Sequence, residues 1–245
     1  MPGLFGRTGR IASGGGWLPT DIGGCKLWLR SDFAWQDAEK TVPCVDSSLV
    51  WTGEDKSLTG DAIQATESKR PVYLTNGING HPVWHFDGLD DRLELASAPV
   101  DPPCTIAIVG QYYAGSYLDV QQAITLTNGL VLAFKNDIGT NYSVYRGAWI
   151  PGSYSLLETP TILVMRENNY DDINFTINGN SENITTGTSY LSLAANYIGN
   201  DQYNQGAHID FSEMLLYDSY ISASNLARLM TYLNTEAQGT GYATY

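Results

Sequence analysis

A chain of 245 residues with 43% hydrophobic content buries roughly 70% of the surface that its unfolded form exposes. This excludes disorder and removes any need for a metal or disulfide staple. Its 26 acidic residues outweigh 13 basic ones, for a formal net charge of −13, which excludes phosphate-backbone binding through a basic patch. Only 16% of residues are charged, while Gly contributes 25, Tyr 16 and Trp 6, so amides and hydroxyls make the surface polar.

Residues 1–16 stand apart from the rest of the chain. Gly3, Gly6, Gly9 and Gly14–Gly16 punctuate a segment that carries Arg7 and Arg10 and no acid. Its one aromatic, Phe5, leaves too little apolar side chain to offset ordering entropy. An extended arm held by a neighbouring subunit is therefore expected, with Phe5, Arg7 and Arg10 as its anchors. The start lacks the apolar core of a secretory signal and no run approaches a membrane span, so synthesis in a cytoplasm without membrane insertion is expected.

From Trp17 onward the pattern is mostly strand. Cys25–Asp32 forms a first strand. Cys25, Cys44 and Cys104 include no C-x-x-C pair, which argues against zinc and against a disulfide framework, leaving a Cys25–Cys44 bridge or buried thiols. Turn signals follow at Asn76-Gly77, Asn79-Gly80 and Asp87-Gly88. His81 and His85 bracket a strand and read as surface or packing residues, whereas Trp28, Trp51 and Trp84 lie within strand patterns and are expected in the core. Cys104–Val109 and Thr161–Met165 are continuous apolar runs, as in strands covered on both faces. Ala123–Thr127 and Leu130–Phe134 flank Asn128-Gly129, a two-residue hairpin signal. Ile173, Phe175 and Ile177 alternate with Asp172, Asn174 and Thr176, the period of a strand with one wet face. Ile209, Phe211, Glu213, Leu215 and Tyr217 are expected to share a face. Ser222 then caps a helix whose Leu226, Leu229, Met230 and Leu233 recur at helical spacing. Many short strands and one C-terminal amphipathic helix predict an antiparallel sandwich or barrel, with one domain over residues 17–245.

Two segments carry a family resemblance: V-D-S-S-L-V-W through I-N-G-H-P-V-W-H-F-D-G-L-D-D-R-L-E-L, between residues 45 and 95, and I-G-N-D through H-I-D-F-S-E-M-L-L-Y-D and the helix, residues 198–233. Over about residues 17–240 the chain resembles the concanavalin A-like lectin/glucanase superfamily, in particular the laminin-G-like jelly-roll modules of bacterial surface and phage virion proteins. The resemblance implies two antiparallel sheets packed as a jelly-roll sandwich. Phe86 and Leu93 then belong to the core and Asp87-Gly88 to a turn. Asp90 and Asp91 either cap that turn or contribute oxygens to Ca²⁺, as could Asp201, although Ca²⁺ needs six or more ligands; no other cofactor is expected.

The superfamily includes glucanases, whose catalytic strand reads like E-I-D-I-x-E. Here the nearest match is His208-Ile209-Asp210-Phe211-Ser212-Glu213, with His at the nucleophile position. Three residues apart in a regular strand, Asp210 and Glu213 are expected on opposite faces. No nucleophile elbow, phosphate loop or H-E-x-x-H motif occurs, so a non-enzymatic chain is expected. The sequons at Asn141, Asn174 and Asn183 carry no weight without an export signal. Arm and sandwich together lead to the expectation of a structural component of a tailed-phage virion, on the particle exterior and partnered by virion proteins or copies of itself. The alternative is a carbohydrate-binding module for host polysaccharide, with Trp149, Tyr112, Tyr113, Tyr117 and Tyr203 as the aromatic candidates.

Overall fold

The computed structural model describes residues 17–96, 101–113, 121–126, 131–135, 141–145, 148–156, 158–169, 172–185, 196–200 and 206–236. The expected arm, with Phe5, Arg7 and Arg10, lies outside the described residues, as do Tyr117, Asp201 and Tyr203.

The first strands are β1 (Cys25–Trp35), β2 (Thr52–Asp55), β3 (Ala62–Ile63), β4 (Val72–Leu74), β5 (Val83–Asp87) and β6 (Leu93–Leu95). They are followed by β7 (Cys104–Tyr112), β8 (Gln121–Thr125), β9 (Val131–Lys135), β10 (Asn141–Tyr145) and β11 (Trp149–Ser155). The last are β12 (Thr161–Asn169), β13 (Asp172–Ile177), β14 (Asn180–Thr185), β15 (Tyr197–Ile198) and β16 (His208–Tyr217), before helix α1 (Ala223–Thr231). One antiparallel ladder runs β11-β10-β9-β8-β15-β6-β3-β2-β1-β16-β7-β12-β13-β14, and β5, carrying β4, also pairs with β16. The ladder folds over so that Ile124, Tyr142 and Val144 of one half share a core with Ile106, Met165 and Phe175 of the other. This is the all-β two-layer sandwich with a single short C-terminal helix that the strand pattern predicts.

The apolar runs fall where the pattern puts them. β7 lies between β16 and β12, and its Cys104–Val109 segment is buried throughout. Helix α1 covers the outer face of the central strands, where Leu229 and Leu233 join Trp28, Val109, Val164 and Leu215. Ser222 Oγ accepts from the Asn225 N–H at 3.3 Å, satisfying one of the free donors of the first turn. No helix among the described residues is long and apolar enough to cross a membrane.

The tryptophans divide. Trp84 is fully buried, stacks on Phe211 with centroids 5.2 Å apart and donates its indole N–H to the Ser31 carbonyl. Trp28 is buried beneath the helix. Trp51 departs from expectation: it is half-buried, with the Arg70 guanidinium 4.0 Å over its ring, a contact that needs one ring face at the surface. All three cysteines are free thiols, so no Cys25–Cys44 bridge forms. Burial pushes Cys25 up to about 12 and Cys44 up to about 11, which keeps both unreactive.

Strand β16 corrects two further expectations. Its register against β7 shifts between Phe211 and Glu213, a bulge that inserts one residue and reverses the alternation beyond it. Ile209 and Phe211 face the inner core together with Met214 and Leu216, whereas Leu215 and Tyr217 face the helix. The five residues expected on one face are therefore split. Asp210 and Glu213, expected on opposite faces, share the outer one.

Glu213 is fully buried there. Its Oε1 accepts from Trp28 Nε1 at 2.7 Å and from the Tyr232 hydroxyl at 3.0 Å, and Oε2 has no hydrogen-bond partner among the described residues. Burial raises this carboxyl to about 7. The folded state thus binds the proton more tightly than the unfolded chain, and the associated stability is present at acid pH and lost as pH rises through about 7. The loss is on the order of 3 kcal/mol. Urea denaturation of the wild type is expected to show stability falling from about pH 5 to about pH 8. Glu213→Gln, which keeps the acceptor for Trp28 and Tyr232, should flatten that slope, and an unchanged slope would assign the dependence elsewhere.

Candidate functional site

The wet face of β13 is where polar groups converge. Ile173, Phe175 and Ile177 point into the core, which turns Asp172, Asn174 and Thr176 outward. β14 pairs with β13 so that Asn183 sits opposite Asn174, and β12 brings Arg166 to the same row. The segment before α1 adds Tyr220, which is 38% exposed. Asn168, Asp172, Asn174, Asn183 and Tyr220 line a cleft of about 460 Å³.

A hydrogen-bond relay orders these side chains. Arg166 Nη2 donates to Asn174 Oδ1 at 2.6 Å, and Asn174 Nδ2 donates to Asn183 Oδ1 at 2.8 Å. The same guanidinium lies 4.7 Å from the Tyr220 ring centroid and donates from Nη1 to the Ile221 carbonyl at 3.4 Å. One arginine therefore fixes an aromatic ring and an amide pair, and the cleft combines a flat apolar face with preset hydrogen-bonding groups. A second cavity, of about 310 Å³, lies between Trp17 and α1. Its hydroxyls are engaged within the fold: Thr231 donates to the Ala227 carbonyl and Tyr232 to Glu213.

A titratable cluster occupies the outer face at the other end of the central strands. Asp210 Oδ1 lies 2.7 Å from His85 Nδ1, and Asp210 Oδ2 accepts from the Tyr113 hydroxyl at 2.8 Å. The His208 ring centroid is 5.3 Å from that of His85 and 5.2 Å from that of Tyr113. The Asp210 side chain is only 6% exposed, so His85 faces a desolvated carboxylate whose hydrogen bond raises its pKa. Burial, followed by the charge of His85, lowers that of His208. The two imidazoles are thus pushed in opposite directions, His85 up and His208 down. His85 thus lies inside β5 and in a charged cluster, a role its sequence neighbours do not reveal because Asp210 and Tyr113 come from distant strands.

The candidate residues read from the sequence meet different fates. Tyr112 is the last residue of β7 and is 1% exposed, so it is a core residue and unavailable to a ligand. Tyr113 is half-buried and belongs to the Asp210 cluster. Trp149 begins β11, half-buried against Tyr145 with centroids 5.2 Å apart. Asp90 and Asp91 sit with Asp87 within 4.8 Å of one another. Asp91 accepts the Asp87 N–H at 3.1 Å and Asp87 the Leu89 N–H at 2.8 Å, and Gly88 adopts φ +79°, as in the turn-capping alternative. Burial and then the charge of Asp87 raise Asp91 to about 7. With one ligand atom from each, the three residues supply half of the six or more oxygens that Ca²⁺ takes. Although the bulge puts Glu213 on the face of Asp210, Glu213 lies under α1, and the two carboxylates do not line a common cleft.

The described fold and cleft define a β-sandwich with a polar, amide-rich outer face. No protein-family model matches the sequence, and no curated protein matches it. Among solved structures, domain 4 of AbnA, a GH43 extracellular arabinanase from Geobacillus stearothermophilus in complex with arabinotriose, is similar at TM-score 0.56 and 12% identity, over 84% of this chain and 98% of that one. The binding domain of Paraclostridial Mosquitocidal Protein 1 is similar at TM-score 0.53 and 9% identity, over 89% and 55%. A Trypanosoma rangeli sialidase mutant with trans-sialidase activity gives TM-score 0.50 and 13% identity, over 89% and 34%. The chain spans about a third of the length of the sialidases it matches. These likenesses are of fold. They correct the expectation of a non-enzymatic chain: the sandwich is one that occurs within an arabinanase and a sialidase, so the fold is enzyme-related.

Replacing Asp210 with Asn removes the carboxylate whose hydrogen bond raises the His85 pKa. NMR titration is expected to show the His85 pKa falling in Asp210→Asn. A His85 titration unmoved by Asp210→Asn would show that the pair does not form.

Proposed function

We propose that this chain is a carbohydrate-binding β-sandwich domain and that the cleft between β12, β13, β14 and Tyr220 receives the sugar. The observation that carries this reading is the cleft itself. A sugar ring offers a flat C–H face and a rim of hydroxyls, and the cleft offers an exposed tyrosine ring beside amides held by a relay and the Asp172 carboxylate. The amide-rich, weakly charged composition agrees with such a ligand. So do the neighbours, one of which is a domain solved with arabinotriose. The finer resemblance to concanavalin A-like, laminin-G-like modules belongs to the same reading, since lectins are part of that superfamily. The virion role expected from the arm has no supporting observation among the described residues and gives way to this one.

A glycan array probed with the full chain, followed by calorimetry on the hits, tests the proposal. Binding of at least one oligosaccharide is expected, with a Kd between about 10 µM and 1 mM. Tyr220→Ala should abolish it, while Trp149→Ala should leave it intact. Failure to bind any neutral or acidic glycan, with and without Ca²⁺, would overturn the reading. Retained binding in Tyr220→Ala and its loss in Trp149→Ala would move the site to β11.

A further inference from the structure

Resting on the carbohydrate reading of the cleft, we infer its ligand class: neutral glycans that present a vicinal diol, with anionic sugars excluded. The inference starts from the donor-only chemistry of arginine. A guanidinium accepts no hydrogen bond, so the group that Asn174 turns toward Arg166 is its carbonyl oxygen, as the 2.6 Å contact to Oδ1 requires. The Asn174 amine then faces β14 and donates to Asn183 Oδ1. Asn183 has one remaining polar function, its own amine, and it lines the cleft. The relay thereby converts a fixed positive charge into a fixed N–H donor two residues away, without presenting the charge itself.

The complementary acceptor is Asp172, which opens the outward row of β13 and lines the same cleft. A donor amide and an acceptor carboxylate together match adjacent hydroxyls, one accepting from Asn183 Nδ2 and the other donating to Asp172. Hydrogen bonds to a charged acceptor are the stronger kind, so Asp172 favours ligands rich in hydroxyl donors. The same carboxylate repels a sialic or uronic acid. The cation that would offset this repulsion is engaged: Arg166 is bonded to Asn174 and to the Ile221 carbonyl, stacked against Tyr220, and buried at Nε. Another acid of β14, Glu182, is held by the Tyr142 hydroxyl and by the Ser153 N–H at 3.1 Å. It lies on the alternate side of β14 from Asn183.

The experiment is calorimetry of the full chain against four probes: arabinotriose, maltotriose, 3′-sialyllactose and trigalacturonate. At least one neutral probe is expected to bind about tenfold or more tightly than either anionic one. Asp172→Asn should narrow that gap by about tenfold. Asn183→Leu should weaken neutral binding by about tenfold, and Arg166→Lys, which keeps the charge but loses the fork, should weaken it as well. Thermal midpoints of all variants establish that they are folded, and Asn183→Ser provides a smaller truncation on the same exposed row. Equal or tighter binding of the anionic probes would overturn the inferred ligand class while leaving carbohydrate binding intact. So would neutral binding unchanged in both Asp172→Asn and the Asn183 variants. Absence of binding to every probe and to the wider array would overturn both.

Discussion

Strand β16 pairs with β1 and β5 along one edge and with β7 along the other, and it meets these demands through the extra residue between Phe211 and Glu213. Before the bulge, Phe211 turns inward and stacks on Trp84. After it, Met214 and Leu216 take the inward positions, while Glu213, Leu215 and Tyr217 turn toward the helix. A regular strand would send the apolar residues on one side of that point to the wrong face. The bulge therefore seats the inner core, roofs Glu213 with α1, and leaves Asp210 on the outer face where His85 and Tyr113 reach it. Bulges commonly re-aim side chains in this way.

The outer face of the central sheet is consequently divided. Under the helix it is apolar, apart from the buried Glu213, whose raised pKa follows from desolvation. Toward the far end of β16 it becomes the Asp210–His85–Tyr113–His208 cluster, and along β12–β14 it becomes the amide cleft. Burial separates the chemistry of these regions. Burial pushes the Glu213 and Asp91 carboxyls upward, whereas the cleft keeps its donors and acceptors at the surface, its amide pair ordered by one arginine. That ordering matters for recognition because groups already held in place lose little further freedom when a ligand arrives.

The sandwich is similar in fold to a domain of an arabinanase, to the binding domain of a mosquitocidal protein and to part of a sialidase. At identities of 9% to 13% the shared property is the layer architecture, and function is carried by what each chain grafts onto it. Here the graft is compact. A tyrosine from the loop before the helix and three neighbouring strands supply the whole cleft, and the arginine that orients it also braces that loop through the Ile221 carbonyl.

The sequence by itself determined the all-β class, the capped C-terminal helix, the central apolar strands and the wet face of β13, because each is a local periodicity or an end signal written in adjacent residues. The Asp87-Gly88 turn was legible for the same reason, since a carboxylate cap and a positive-φ glycine act within a few residues of each other. Tyr112, expected among the sugar-binding aromatics, is a core residue instead, because no local signal marks the last residue of a buried strand. The opposite-face placement of Asp210 and Glu213 failed because one inserted residue, invisible in the pattern, reverses the alternation. Only the tertiary structure decided that His85 meets Asp210, 125 positions away, and that Asn174, Asn183, Arg166 and Tyr220 converge on one cleft. Those contacts depend on strand order and register, which long-range packing sets and which no window of the sequence contains.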